Sequence, residues 1–156
     1  MSIEAHSPAH SHPDCELCHQ DGGMLLWRDS GWRLVRVNDV AFPGFYRLIS
    51  NQHVAEFSEL SVEARQRCLK LLAWVEALVI RHLSPTKMNL ASLGNVVPHV
   101  HWHVVARFDW DSHFPSPIWA AAQRAVPPEQ LARIESLLPA LDAVLAEGPV
   151  AAVAAR

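Results

Sequence analysis

The sequence predicts a single domain of mixed helix and strand, and three observations predict it. Three short apolar runs separated by turn signals occupy residues 24–50. Val62 to Leu83 carries its apolar residues at helical spacing. A Val-rich run from Val96 to Val105 alternates histidine with apolar side chains, as a strand does. At 156 residues, half of them hydrophobic, the chain is long enough to bury one substantial core. The net charge of −3 exerts no general pull on a nucleic-acid polymer or an anionic membrane, and leaves room for a small anionic ligand at a locally positive site. No apolar run reaches transmembrane length, and Met1 to Pro13 lacks the apolar core of a signal peptide. A cytoplasmic location is the expectation.

Residues 1–13 are small, polar and aperiodic, and are expected to form a disordered tail carrying His6, His10 and His12. Cys15 opens the folded part, and Asp21-Gly22-Gly23 marks a turn. Residues 24–28 and 32–38 read as strands flanking the turn Asp29-Ser30-Gly31. In the second strand Trp32, Leu34, Arg36 and Asn38 share one face, against Arg33, Val35 and Val37. Pro43-Gly44 is a further turn, and residues 45–50 are a third strand. Ser61 is placed to cap the helix from Val62 to Leu83, and Pro85 ends it. Residues 87–93 read as a fourth strand, with Gly94-Asn95 turning into the histidine run. Asp109 to Pro117 is a loop, and a last helix begins at Pro127-Pro128, with Pro139 expected to kink or split it. The Ala-rich end, residues 150–156, is expected to fray.

His99, His101 and His103 recur at a spacing of two. On a continuous strand their imidazoles share one face, and Val100, Trp102 and Val104 share the other. Such a row suits a metal centre, or covalent catalysis in which one imidazole attacks an acyl or phosphoryl centre while its neighbours neutralise charge. Spacing alone leaves both open, beside the plainer reading of solvated surface histidines. Cys15 and Cys18 have the spacing of a zinc ligand pair. Three cysteines in all argue against a disulfide scaffold. Two further ligands are then needed, and His19, His53 and a histidine of the strand are the candidates.

His99-x-His101-x-His103 followed by Val104-Val105 resembles the signature of the histidine triad (HIT) superfamily. Asn89 and Gly94 stand before it at nearly the family's spacing. Asp39, Pro43-Gly44, a strand and His53 resemble the family's ribose-contacting acid, hairpin turn and the histidine that ends the next strand. Cys15-x-x-Cys18 resembles the N-terminal motif of zinc-containing bacterial-type members. The resemblance covers roughly residues 14–125, leaving 126–156 as a C-terminal helical extension.

The resemblance implies an α+β fold, a five-stranded antiparallel sheet with one long helix packed on it, and a homodimer. It also implies hydrolysis or transfer at the α-phosphate of a nucleotide conjugate. His101 is then the nucleophile that takes the nucleotidyl group, His103 the phosphate partner, and His99 an orienting residue or metal ligand. Asp39, Asn89 and the Gly94–Asn95–Val96 segment are the implied nucleotide contacts, and a structural zinc maps onto Cys15, Cys18, His53 and His99. A slot in the hairpin from Leu26 to Val40 is expected to take the base, and His113 and Trp119 are further candidates for lining the pocket. Many members carry Gly-Gln-Ser or Gly-Gln-Thr before the triad; here Val96 replaces the hydroxyl residue, Asn95 is one methylene shorter than Gln, and Pro98 removes a backbone donor. Two other readings follow from these residues: a nucleotide-binding protein without catalysis, and a metalloprotein whose histidine face itself holds a catalytic metal.

Overall fold

The structure, a computed structural model, describes residues 11–149. Five strands form one antiparallel sheet in the order β1-β2-β3-β5-β4: β1 (Met24–Arg28), β2 (Trp32–Arg36), β3 (Phe45–Ser50), β4 (Lys87–Ala91) and β5 (His101–Arg107). The helices are α1 (Glu16–His19), α2 (Val62–Leu83) and α3 (Pro128–Ala146), with a 3-10 turn at Phe57–Glu59. The fold is therefore α+β, as expected. No helix among the described residues is long and apolar enough to cross a membrane.

Helix α2 has the predicted bounds for the predicted reason. The Ser61 hydroxyl accepts from the Ala64 N–H at 3.1 Å, satisfying one of the free donors of the first turn. Its buried stripe, including Cys68, Leu71, Leu72, Val75, Val79 and Leu83, packs on one face of the sheet through Trp32, Leu34, Tyr46, Leu48, Val104 and Ala106. Ile134, Leu138, Leu141 and Leu145 of α3 complete that core. The Asp142 carboxylate ties α3 to the sheet, accepting from Arg36 Nε at 2.8 Å and from the Tyr46 hydroxyl at 3.2 Å.

Four expectations are corrected. Strand β2 ends at Arg36 rather than at 38, because the chain turns at Asp39, whose Oδ1 accepts from the N–H groups of Ala41 and Phe42. Residues 96–100 are not strand. Gly94 adopts φ +74°, His99 N–H bonds back to the Val97 carbonyl at 2.8 Å, and pairing on β5 starts only at His101. Strand β4 stops correspondingly at Ala91 rather than 93. Helix α3 runs through Pro139 without a break: the apolar residues on either side are held in the core, and that packing offsets the ~3 kcal/mol a helix-interior proline costs. The expectations for His6, His10 and residues 150–156 lie outside the described residues, whereas His12, assigned to the tail, stacks on His53 at 5.1 Å between ring centroids.

The second face of the sheet carries the chemistry. The register sets Arg47 opposite His103, Ile49 opposite His101, Arg33 opposite Ile49 and Val35 opposite Arg47. Directly paired residues point the same way, so Arg33, Val35, Arg47, Ile49, His101 and His103 lie on the face away from α2.

Candidate active site and metal centre

The imidazoles of His101 and His103 are side by side on β5, with ring centroids 5.3 Å apart. They line a cavity of about 530 Å³ with Glu16, Leu17, Arg47, Leu93, Trp119 and the segment Gly94 to Val97. His101 Nδ1 lies 2.6 Å from the His99 carbonyl oxygen. A carbonyl only accepts, so Nδ1 carries the proton and Nε2 keeps a lone pair. Burial pushes the His101 imidazole below its ordinary value; the bond to His99 opposes this, and the Arg47 charge adds to it. Burial, then the charges of His101 and Arg47, push His103 down to about 4. Both rings are thus neutral near pH 7. His103 Nδ1 is buried and has no hydrogen-bond partner among the described residues. The Phe45 ring meets His103 edge-on at 5.1 Å.

His99 lies outside this pair. With the backbone turned at residues 97–99, its ring points toward the Cys-x-x-Cys segment, and it is 1% exposed. Its Nε2 donates to the Ser50 carbonyl at 2.7 Å, leaving Nδ1 as the lone-pair nitrogen. That Nδ1 is 3.4 Å from Cys15 Sγ and 3.7 Å from Cys18 Sγ, and His53 Nδ1 is 3.3 Å from Cys18 Sγ. All four donor atoms lie within 4.8 Å of one another. Tetrahedral Zn–S and Zn–N bonds imply donor separations of about 3.5 Å, so the cluster fits the ion. Two thiols and two imidazoles are also a zinc-type donor set. Burial first, and then Cys18, push the Cys15 thiol up, a cost that a bound cation relieves. His19 is not part of the cluster; its Nε2 bonds the Pro13 carbonyl at 2.9 Å.

Arg33, 3% exposed, holds the cluster in place. Its Nη2 donates to the carbonyls of Leu17 at 2.6 Å and Gln20 at 3.2 Å, its Nε to that of Asp21 at 3.0 Å, and its Nη1 to that of Ser50 at 3.2 Å. One guanidinium thus ties the Cys-x-x-Cys turn to the strand end that orients His99.

Of the expected nucleotide contacts, the structure brings Gly94, Asn95 and Val96 to the cavity, together with Trp119. It does not bring Asp39 or Asn89. Asp39 caps its own turn and lines a separate depression with Arg36, Pro43, Glu135 and Leu138. Asn89 Oδ1 accepts from Arg107 Nη1 at 2.7 Å, and Arg107 in turn forms a buried two-point ion pair with Asp111 at 2.7 and 3.0 Å. His113 packs on Phe42 instead, at 5.1 Å, and Trp102 packs against the core, as expected. The apolar wall of the cavity comes from Leu17, Leu93, Val97 and Trp119 rather than from the Leu26–Val40 hairpin. Sequence reasoning missed Arg33 and Arg47. Their signal was there: a cation on a face that is otherwise apolar, between Phe45 and Ile49 for Arg47 and beside Val35 for Arg33.

A HIT domain family model matches residues 23–110, more than half of the chain, and the chain belongs to the HIT family. Solved structures agree with the fold. A histidine triad protein from Bradyrhizobium japonicum superposes with TM-score 0.67 at 21% identity, over 86% of this chain and 96% of its own. One from Marinobacter aquaeolei gives 0.63 at 26%, over 81% and 92%. A zinc-bound histidine triad family protein from Mycobacterium smegmatis gives 0.57 at 16%, over 87% and 98%. No curated protein sequence matches the chain.

Proposed function

We propose that the protein is a nucleotide hydrolase or nucleotidyl transferase that acts at the α-phosphate of a nucleotide conjugate through a covalent nucleotidyl-His101 intermediate. The observation that carries this reading is the tautomer lock: His101 Nδ1 is committed to the His99 carbonyl, so a neutral Nε2 is left as nucleophile at a cavity shared with His103. Nε2 attacks phosphorus. The N–P bond forms as the bond to the leaving group breaks, and the leaving group departs with the electron pair and takes up a proton. His103, whose ring lines the same cavity, is placed to donate to phosphoryl oxygen or to the departing atom. Water then attacks phosphorus, the N–P bond breaks, and the nucleoside monophosphate leaves with His101 restored to neutrality. Backbone groups of Gly94, Asn95 and Val96 complete the phosphate contacts, and Leu93, Val97 and Trp119 offer the base an apolar surface.

Cys15, Cys18, His53 and His99 hold a structural zinc in this reading, as the name of the Mycobacterium smegmatis relative supports. The ion would fix the position of His99 and hence of the carbonyl that orients His101. The family resemblance supports a homodimer, and the free thiols Cys15, Cys18 and Cys68 support a reducing, cytoplasmic setting. The decisive test is turnover of an adenosine phosphoramidate and a dinucleoside polyphosphate followed by ³¹P NMR. Wild type is expected to release AMP and His101→Ala to lose turnover by at least about 1,000-fold. Undiminished turnover in that variant would remove the covalent mechanism, and AMP binding without turnover in wild type would favour a binding protein.

A further inference from the structure

Four arginines among the described residues sit on the open face of the sheet, and three are engaged. Arg28, opposite Arg33, pairs with Asp21. Arg33 reaches four backbone carbonyls. Arg107 pairs with Asp111 and also donates to Asn89 and to the Ser116 carbonyl. Arg47 is different. Its one hydrogen bond among the described residues is Nη1 to the Gly22 carbonyl at 3.3 Å, and its Nε is buried without a partner. No carboxylate among the described residues forms an ion pair with it; Glu16 is exposed at the rim of the same cavity and does not. The guanidinium lies over the Phe45 ring at 5.5 Å and lines the cavity. A partly buried guanidinium with unused donors, facing a cavity, is a site for an anion, and its planar fork suits phosphate.

The geometry points to Arg47 as the residue that binds a second phosphate, next to the one attacked, making the protein selective for conjugates in which the α-phosphate is joined to further phosphate. This rests on the proposed function of the cavity. Arg47 stands on β3, opposite His103 on β5. His101 is therefore its diagonal neighbour, about 7–8 Å away across the two strands, so a group held by the guanidinium lies beside the phosphorus that His101 Nε2 attacks. That is a neighbouring position on a phosphate chain rather than the reacting phosphorus itself. The assignment also supplies charge where the Gly94–Val96 turn lacks a hydroxyl. In dinucleoside polyphosphates the leaving group is itself an anionic phosphate, so Arg47 stabilises it as its charge grows. A phosphoramidate offers Arg47 nothing comparable.

The test compares AMP with ADP by calorimetry, and a dinucleoside polyphosphate with an adenosine phosphoramidate by turnover, in wild type, Arg47→Met and Arg47→Lys. Wild type is expected to bind ADP more tightly than AMP. Arg47→Met should reduce that ADP:AMP preference by about 10- to 100-fold, the value of a charge-assisted contact, and lower the polyphosphate:phosphoramidate ratio of kcat/KM in parallel. Arg47→Lys should recover part of both ratios, which restored packing alone would not do. Equal losses for both ligands in Arg47→Met, or no preference for ADP in wild type, would overturn the inference. Binding of neither nucleotide would sink the reading of the cavity along with it. An Arg47-dependent ADP preference in a protein that turns over nothing would leave the inference standing and remove the hydrolase.

Discussion

His101 and His103 differ through what each ring nitrogen touches, although the sequence presents them as equivalents. Nδ1 of His101 is spent on a carbonyl, and Nδ1 of His103 on nothing. The low value of His103 has a consequence for stability. Its imidazole titrates near 4 in the fold and near 6.5 when unfolded. The unfolded chain therefore binds more protons in that interval, so this contribution to stability is intact above pH 6.5 and is lost as pH falls toward 4. Urea midpoints measured across that range should decline, and His103→Gln should flatten the decline. An unchanged slope in the variant would show that His103 is not a buried neutral group. At this scale the sequence showed residue types but not partners. Asp39 and Asn89 matched the family by position; the structure adds that Asp39 Oδ1 accepts from the Ala41 and Phe42 N–H groups and that Asn89 Oδ1 accepts from Arg107.

Among the elements, α3 depends on a polar bridge as well as on its leucines. Asp142 is the shared acceptor of Arg36 and of the Tyr46 hydroxyl, and Tyr46, whose pKa is raised chiefly by burial, stays protonated to donate. Asp142→Ala leaves a buried hydroxyl and a half-buried cation unpaired, which costs about 2–4 kcal/mol. Chemical denaturation is the measurement, and a loss under about 0.5 kcal/mol would mean that apolar packing alone docks the helix. Helix α2 was legible to the residue because its cap, apolar period and terminating Pro85 are local signals. Strand β5 was not, because Val96 and Val97 have strand-like side chains while Gly94 and Pro98 impose a turn. That turn is what sends His99 to the metal cluster and His101 to the cavity.

For the molecule as a whole, the metal cluster and the cavity are two sites joined through His99 and through the Cys15–Cys18 turn, whose Glu16 and Leu17 line the cavity. The His99 side chain belongs to the first, and its carbonyl orients the His101 imidazole, the proposed nucleophile, in the second. Chelation is therefore expected to lower Tm by roughly 5–15 °C and to reduce turnover through loss of order around His99, with no metal chemistry in the reaction. Metal analysis and calorimetry on wild type and Cys15→Ser would check this. Full metal content in Cys15→Ser would refute the assigned ligands. Turnover abolished by a chelator at unchanged Tm would instead favour a catalytic metal.

The sequence by itself determined the class of fold and the long helix through periodicity, and the Cys15-x-x-Cys18 pair and the histidine triad through motifs of fixed spacing. His53 and His99 as the other two ligands followed from the family resemblance, since spacing alone also admitted His19. Tertiary structure decided what each histidine touches: His99 the cysteines, His101 the His99 carbonyl, and both His101 and His103 the cavity. It also decided that Arg33 is spent on the Cys-x-x-Cys turn and Arg107 on Asp111, while Arg47 forms no ion pair among the described residues. Charge neutralisation is a matter of which groups are brought together in space, and residues 16, 47 and 101 meet at one cavity only when α1, β3 and β5 are assembled.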